Sequence, residues 1–577
     1  MEIFKKNWLF LFLVIGLTIF LQYLPFLYHL RQTPPDRVYL GAERYTPDYY
    51  IYLFYTNQGA LNRVSVADFY TNEPHEEAFV HVEYLVMGKI GAQIGLGVVT
   101  TFYLFRSLFL IIYLLLSFWF IAKFFKDLGW QRITFLFSIF WGGIFWPTTE
   151  RGLIFKTFFD FYQPPDLINR LTFEPHKLMG MSLFLLLLFY SLSFYENYQK
   201  YNLSQRIRRF VLLLLFALLG GLIHGITIIS LIFTVVFYLL SKSLLVLFNK
   251  EKIRLLWQPA LLMFLLFLVM ISPIFYWQQV FSQNPVWYQV FKYWEGYFVQ
   301  IDSKAPLTPT LGGFFIVLGP LILLSLIGVR KLLTEHKNLG LLLISFLTSN
   351  LFLFFYGYIF LGTSKHRYYQ TPYLLVWSIL AVYGLRTVFS YLRSKLNFSQ
   401  ATSYYLILAT HPQRLSKLKF AMAGVACFLL LSVGLPSIKQ GFEKQFSQFG
   451  KPPSLELLAY PTKGMYRGFL WLKDHSRTND VILSLPTVGN IIPAIPGRRV
   501  LVGDYVHSYL YAKKLPLVQK FFKGEMTLGE AENFLNKEKV NFVFVSVEEK
   551  ALGDLSSYAS LLQNVYQNDE TAIYKIK

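Results

Sequence analysis

Charge is scarce in this chain, and acidic charge is scarcer than basic. Only 15% of its 577 residues are charged, 33 acidic against 54 basic, where a soluble domain carries nearer a quarter. The long apolar runs hold almost no Asp or Glu. That argues against a proton- or sodium-coupled transporter, which places such groups near the bilayer midplane. The single cysteine, Cys427, lies inside an apolar run; it excludes an internal disulfide and argues against metal-thiolate chemistry. No glycine-rich phosphate loop is present. What is abundant is apolar and aromatic surface, 54% and 19% of the residues, so lipid is the main solvent.

A formal charge of +21 would suggest nucleic acid if it formed one patch. Here it is dealt out in short tracts between apolar runs, the pattern that orients membrane proteins, so the expected partners are membrane lipids and no nucleic acid. After Lys5 and Lys6, the run from Trp8 to about Leu30 is long enough to cross and reads as an uncleaved signal anchor. Further spans are expected to begin near residues 100, 133, 178, 210, 227, 256, 311, 338, 368 and 418. Every second connection is basic: Lys123, Lys126 and Arg132; Lys200 to Arg209; Lys242 to Arg254; Arg330, Lys331 and Lys337; and Arg386 to Lys419. The positive-inside rule then puts the N-terminus in the cytoplasm and the tail outside, in a plasma or inner membrane. The stretch 78–98, with His81, Glu83, Lys89 and four glycines, is too polar to span. It reads as an amphipathic helix on the outer surface.

The expected fold is an all-α polytopic membrane bundle of about eleven transmembrane helices with a small C-terminal extracytoplasmic α/β domain. The boundary is placed between a membrane domain, residues 1–440 with a long first outer loop at 31–98, and a soluble domain at 441–577. In the tail, the helical spacing of Tyr466 to Asp474, apolar runs at Val481, Arg499, Val540 and Ala572, and the capping box Thr527–Glu530 predict a partly parallel sheet. Its expected task is to cover or shape the outer membrane face.

Polar chemistry collects in the outer loops. In the first, Thr46-Pro47-Asp48-Tyr49-Tyr50 opens an aromatic helix. Asp48 reads as an N-cap or as a general base above the headgroups. Glu-Pro-His occurs twice, at Glu73-Pro74-His75, followed by Glu76, and at Glu174-Pro175-His176, followed by Lys177. Such pairs are candidate metal ligands or interfacial anchors. Lys365, His366 and Arg367 form a basic cluster in an outer loop, where basic residues should be few; they match a lipid phosphate or snorkel to the surface. Trp287, Tyr288, Trp294 and Glu295 offer rings for sugar stacking or for the membrane interface.

One span, a long outer loop with an early Asp, a many-span bundle and an outer α/β tail together resemble the GT-C superfamily of polytopic glycosyltransferases. The likeness covers the whole chain in architecture. At sequence level it is carried by Thr46-Pro47-Asp48-Tyr49-Tyr50, Lys365-His366-Arg367-Tyr368, Trp471-Leu472-Lys473-Asp474 and Leu483-Ser484-Leu485-Pro486. It is similar to uncharacterised bacterial members and to the protein mannosyltransferase and aminoarabinose transferase branches. The resemblance implies inverting transfer of a sugar from a polyprenyl-phosphate donor, with Asp48 as base. Arg367, helped by Lys365, His366 or Lys177, would bind the donor phosphate. Glu174 and His176, with His75 and Glu76, would orient the acceptor or hold a divalent cation (Mg or Mn), and Trp294 and Tyr49 would stack on sugar. Tyr49 stands where the family pairs a second acid with the first, which leaves a metal requirement open. A flippase or exporter of lipid-linked glycan and a non-catalytic membrane assembly protein are the alternatives.

Overall fold

The computed structural model describes residues 2–43, 46–142, 145–148, 154–157, 167–248, 257–296, 299–300, 303, 318–395, 412–451 and 454–577. The chain runs as α1 (Glu2–Arg31), α2 (Thr46–Ala60), α3 (Val82–Gln93), α4 (Val98–Ile121), α5 (Leu128–Phe140), the antiparallel pair β1 (Phe145–Thr148) and β2 (Ile154–Thr157), and α6 (Leu167–Leu171). Then come α7 (Pro175–Asn197), α8 (Leu203–Ile223), α9 (Gly225–Phe248), α10 (Trp257–Gln283) and α11 (Pro285–Phe291). After residue 318 follow α12 (Pro320–Glu335), α13 (Lys337–Phe360), α14 (Tyr373–Lys395) and α15 (Pro412–Ser447).

Among the described residues, eight helices are long and apolar enough to cross a membrane: α1, α4, α7, α9, α10, α13, α14 and α15. Shorter or more polar helices stand at the other expected positions that the described residues cover. α5 has 13 residues and α12 has 16, short of the ~20 a crossing needs; the expected start of the latter, near residue 311, lies outside the described residues. α8 has the length but opens with Arg206, Arg208 and Arg209. The eight long helices turn large apolar side chains outward, with Phe12 and Phe428 each 70% exposed. Such faces are stable only against lipid. This is a multi-pass membrane protein.

The chain divides into two compact units. The first comprises Met1–Gln22, Leu108–Pro273 and Phe298–Glu443. Its tightest crossing joins α12 and α14: a Cβ on Gly328 would lie 2.1 Å from the Leu380 carbonyl oxygen, and one on Gly384 1.9 Å from that of Leu324. Small residues facing each other are what allow membrane helices to come so close. Elsewhere in this unit the Thr234 and Ser349 hydroxyls meet at 2.9 Å between α9 and α13.

The second unit comprises Tyr23–Ser107, Ile274–Tyr297 and Lys444–Lys577. The first loop thus groups with the tail, which enters this unit at Lys444. The tail contains α16 (Lys463–His475), β3 (Val481–Leu483), α17 (Pro486–Ile491), β4 (Arg499–Val500), α18 (Tyr511–Phe522), α19 (Leu528–Lys537), β5 (Val540–Val545), α20 (Val547–Leu552), β6 (Leu562–Gln567) and β7 (Ala572–Ile576). The sheet order is β4-β3-β5-β7-β6. β3 runs parallel to β4 and β5, while β7 is antiparallel to β5 and β6, so the partly parallel expectation holds. Both halves of the Thr527–Glu530 capping box form. Backbone pairing ties the loop to this domain: Val500 N–H donates to the Phe69 carbonyl at 2.8 Å, and Val38 N–H to that of Pro461 at 2.9 Å. α3 is 12 residues long and exposes Val86, Ile90 and Ile94 as an apolar stripe, which agrees with a surface helix and not a span.

Candidate functional site

Asp48 sits in the first turn of α2, half-buried, where the helix N-terminus favours a carboxylate. The rest of the helix is packed on every side, from Tyr49 to Gly59. Two glycines let α3 lie directly against it: a Cβ on Gly59 would stand 2.1 Å from the Leu85 carbonyl oxygen, and one on Gly88 1.9 Å from that of Thr56. Helical spacing puts Tyr52 and Tyr55 on the same face as Asp48. Tyr52 stacks on Tyr84 with centroids 5.2 Å apart, and Tyr55 stacks on His81 at 4.9 Å. His81 contacts the buried Glu83 carboxylate at 3.1 Å.

The loop after α2 is held by Gln58, whose amide donates to the Ala67 carbonyl at 2.9 Å and accepts from the Ala67 N–H at 3.0 Å. This fixes the next residue, Asp68, which is fully buried. One Asp68 oxygen accepts the Tyr70 N–H at 2.9 Å; the other meets His507 Nδ1 at 3.0 Å. His507 comes from the tail, on a turn closed by Asp504, whose carboxylate accepts the N–H groups of Val506 and His507 at 2.9 and 3.0 Å. Its ring lies between Tyr70 and Tyr55, at 5.6 and 6.3 Å. Burial opposes an imidazolium here, but the Asp68 carboxylate, then Asp504 and Asp48, outweigh it and raise the His507 pKa. Asp504 is raised too, chiefly by burial. The Tyr55 and Tyr70 hydroxyls are pushed well above their usual range by burial and by the same carboxylates, so both stay neutral.

The other expected site residues divide between the two units. Tyr49 is 6% exposed, its hydroxyl donates to the Leu40 carbonyl at 2.9 Å, and its ring meets Phe102 edge-on; no face of it is open to a sugar in this structure. His75 donates from Nδ1 to the Glu73 carbonyl at 2.8 Å and accepts the Asp68 N–H on Nε2 at 2.7 Å. With both nitrogens engaged, it has no lone pair for a metal and instead braces Asp68. Glu76 is exposed, and its carbonyl accepts from the buried Trp287 indole at 2.9 Å. The side chains of Trp294 and His366 lie outside the described residues.

In the first unit, Lys177 pairs with Glu174 at 2.6 Å, and the buried His176 ring faces His224 with centroids 5.6 Å apart. Gly180 makes room for His224, because a Cβ there would lie 2.7 Å from the His224 Cβ. The two Glu-Pro-His segments therefore belong to different units. Lys365 and Arg367 lie on the 3-10 turn Lys365–Gln370; Lys365 is 2% exposed, with Nζ 5.1 Å from the centre of the Tyr358 ring. Beside this turn an apolar crevice is lined by Leu347, Asn350, Phe354, Tyr368 and Trp377. Among the described residues, no three His, Cys, Asp or Glu side chains gather as a metal site.

Sequence reasoning missed Asp68, Asp504 and His507. The one local signal was Asp504 itself, since an Asp in a loop commonly accepts backbone N–H groups a few residues on and closes a turn.

No family model matches the chain, and no curated protein matches it. Among solved structures, it is similar to the oligosaccharyltransferase of Archaeoglobus fulgidus in the apo form: 14% identity, 100% of this chain and 75% of that one, TM-score 0.52. ArnT from Cupriavidus metallidurans is a further match, in the apo state at 12% identity and bound to undecaprenyl phosphate at 11%. These cover 99% of this chain and 98% of that one, with TM-scores of 0.48 and 0.49. The likeness to the oligosaccharyltransferase shows a shared fold.

Proposed function

We propose that this chain is a glycosyltransferase that moves a sugar from a polyprenyl-phosphate donor to an acceptor at the outer membrane face, with inversion and with Asp48 as base. The observation that carries the proposal is the setting of Asp48, a half-buried carboxylate in the first turn of a helix whose following residues are buried. The GT-C fold supports the reaction class.

In this reading Asp48 accepts the proton of the acceptor hydroxyl as its oxygen bonds to the anomeric carbon. The bond from that carbon to the phosphate oxygen breaks on the opposite side, and its electron pair leaves with the polyprenyl phosphate. Arg367 and Lys365, with His366 and Lys177, answer the charge growing on that phosphate, where a placed cation acts most strongly. Glu174 and His176 supply an oxygen and a nitrogen donor for orienting the acceptor.

The test is release of polyprenyl phosphate by purified protein in nanodiscs, offered a panel of polyprenyl-phosphate sugars. Asp48→Asn is expected to slow release by about 10²–10⁴-fold, the usual contribution of a positioned base, with the unfolding midpoint unchanged. Full activity in a folded Asp48→Asn protein would remove Asp48 from the reaction.

A further inference from the structure

The first loop turns apolar side chains outward although it does not span. Phe79 is 51% exposed, and Val86, Ile90 and Ile94 on and just past α3 are all exposed. A step of four residues puts these last three in one line along the helix. His81 makes the turn between Phe79 and α3 in the left-handed conformation, with φ 49°.

The opposite side of α3 is fixed by close contacts. Gly88 meets the Thr56 backbone of α2, and a Cβ on Gly91 would lie 2.1 Å from Oγ1 of Thr101, in the first turn of α4. Because α4 is long and apolar enough to cross, α3 lies against it where it enters the bilayer. Phe79 is held to a second such helix, α10. Its N–H donates to the Tyr276 hydroxyl at 3.0 Å, and its carbonyl accepts from the Trp277 indole at 3.0 Å. Both aromatics lie within about two turns of Gln283, where the apolar stretch Leu261–Gln283 ends. Tyr and Trp with an apolar ring and a satisfied polar end mark the membrane interface.

We infer that Phe79 and the line Val86–Ile90–Ile94 form a wedge seated in the adjoining lipid leaflet, with Lys89 at the phospholipid phosphates. The surface is continuous with the lipid-facing sides of its neighbours, since Leu104 on α4 and Phe275 on α10 are also exposed. At 12 residues, α3 is about 18 Å long, too short to cross, so it lies along the membrane. Its charge fits anionic headgroups: the only acid, Glu83, is buried, while the half-buried Lys89 stands beside Ile90. A helix with an apolar line and a basic edge settles about 5–10 Å into the headgroup and acyl boundary. Through the contacts at Gly59 and Gly88, α2 and its Asp48 ride on this wedge, so lipid sets the height of α2. The inference concerns the lipid contact, and its failure leaves the proposed transfer standing.

The experiment uses the full chain with Cys427→Ser, so that introduced cysteines are the only thiols. Val86→Cys, Ile90→Cys and Ile94→Cys are each labelled with a nitroxide in vesicles of phosphatidylcholine and phosphatidylglycerol. Lys537→Cys on the exposed side of α19 is the water-facing control. Spin relaxation by dissolved oxygen, which concentrates in lipid, is compared with relaxation by a nickel chelate, which stays in water. The labels at 86, 90 and 94 should favour oxygen and report a depth of about 5–10 Å below the phosphates; the label at 537 should favour nickel. Nickel access at all three sites equal to that at 537 would overturn the inference, because the line would then face water. Exclusion of both reagents from all three would overturn it too, by showing that protein covers the line.

Discussion

Arg106 on α4 grips Glu43 with both prongs of its guanidinium, Nη1 to Oε2 at 2.8 Å and Nη2 to Oε1 at 3.1 Å, and both side chains are buried. The Tyr103 hydroxyl adds a third donor to Glu43 at 2.9 Å. Glu43 precedes Asp48 by five residues, so this pair anchors the chain just before α2.

Breaking it from one side should be costly. Arg106→Met would leave a buried carboxylate without its cation, a loss of about 3–5 kcal/mol. It should lower the unfolding midpoint in detergent by more than Arg106→Met combined with Glu43→Gln does. A double variant no more stable than the single one would show that the ion pair itself contributes little.

The contact of α2 with α3 depends on two missing side chains. Gly88→Ala would drive a methyl group into the Thr56 carbonyl oxygen, 1.9 Å away. Overpacking of this kind costs about 1–3 kcal/mol. Gly97→Ala meets nothing within 4 Å and should leave the unfolding midpoint close to that of wild type. Equal midpoints for the two variants would contradict the close approach of the helices.

The buried acids and imidazole make stability depend on pH in one direction. Burial works against a charged His507, but Asp68, Asp504 and Asp48 raise its folded pKa above the ordinary 6.5. The folded chain then holds that proton more tightly than the unfolded chain does. The resulting stability is fully present below pH 6.5 and is lost as pH rises through the folded value. Asp504, raised above 3.8 mainly by burial, also favours its protonated form and acts in the same direction. The unfolding midpoint should fall on the alkaline side of pH 6.5, and His507→Gln should flatten that fall. A wild-type midpoint constant from pH 6 to 9 would contradict it.

Much of this molecule was legible in the residue order. The eight long apolar helices follow from runs whose length and composition are local properties, as does the Thr527–Glu530 capping box, which closes within four residues. Asp48 could be singled out because a Pro and an aromatic helix flank it in sequence. The hydrogen bonds of Tyr49 and His75 were not legible for a different reason: a tyrosine or histidine carries no sign in the sequence of whether its polar atoms are already used.

Composition and hydropathy by themselves determined the membrane, the helical bundle and the mixed sheet of the tail. They could do so because burial in lipid and the periods of helix and strand act over one turn or one strand at a time. The tertiary structure alone decided that the first loop packs with the tail, and that Asp68 meets His507 across 439 residues. Such a pair leaves no period or spacing in the chain. It exists because two buried groups of opposite polarity must satisfy each other once folding has removed water from both.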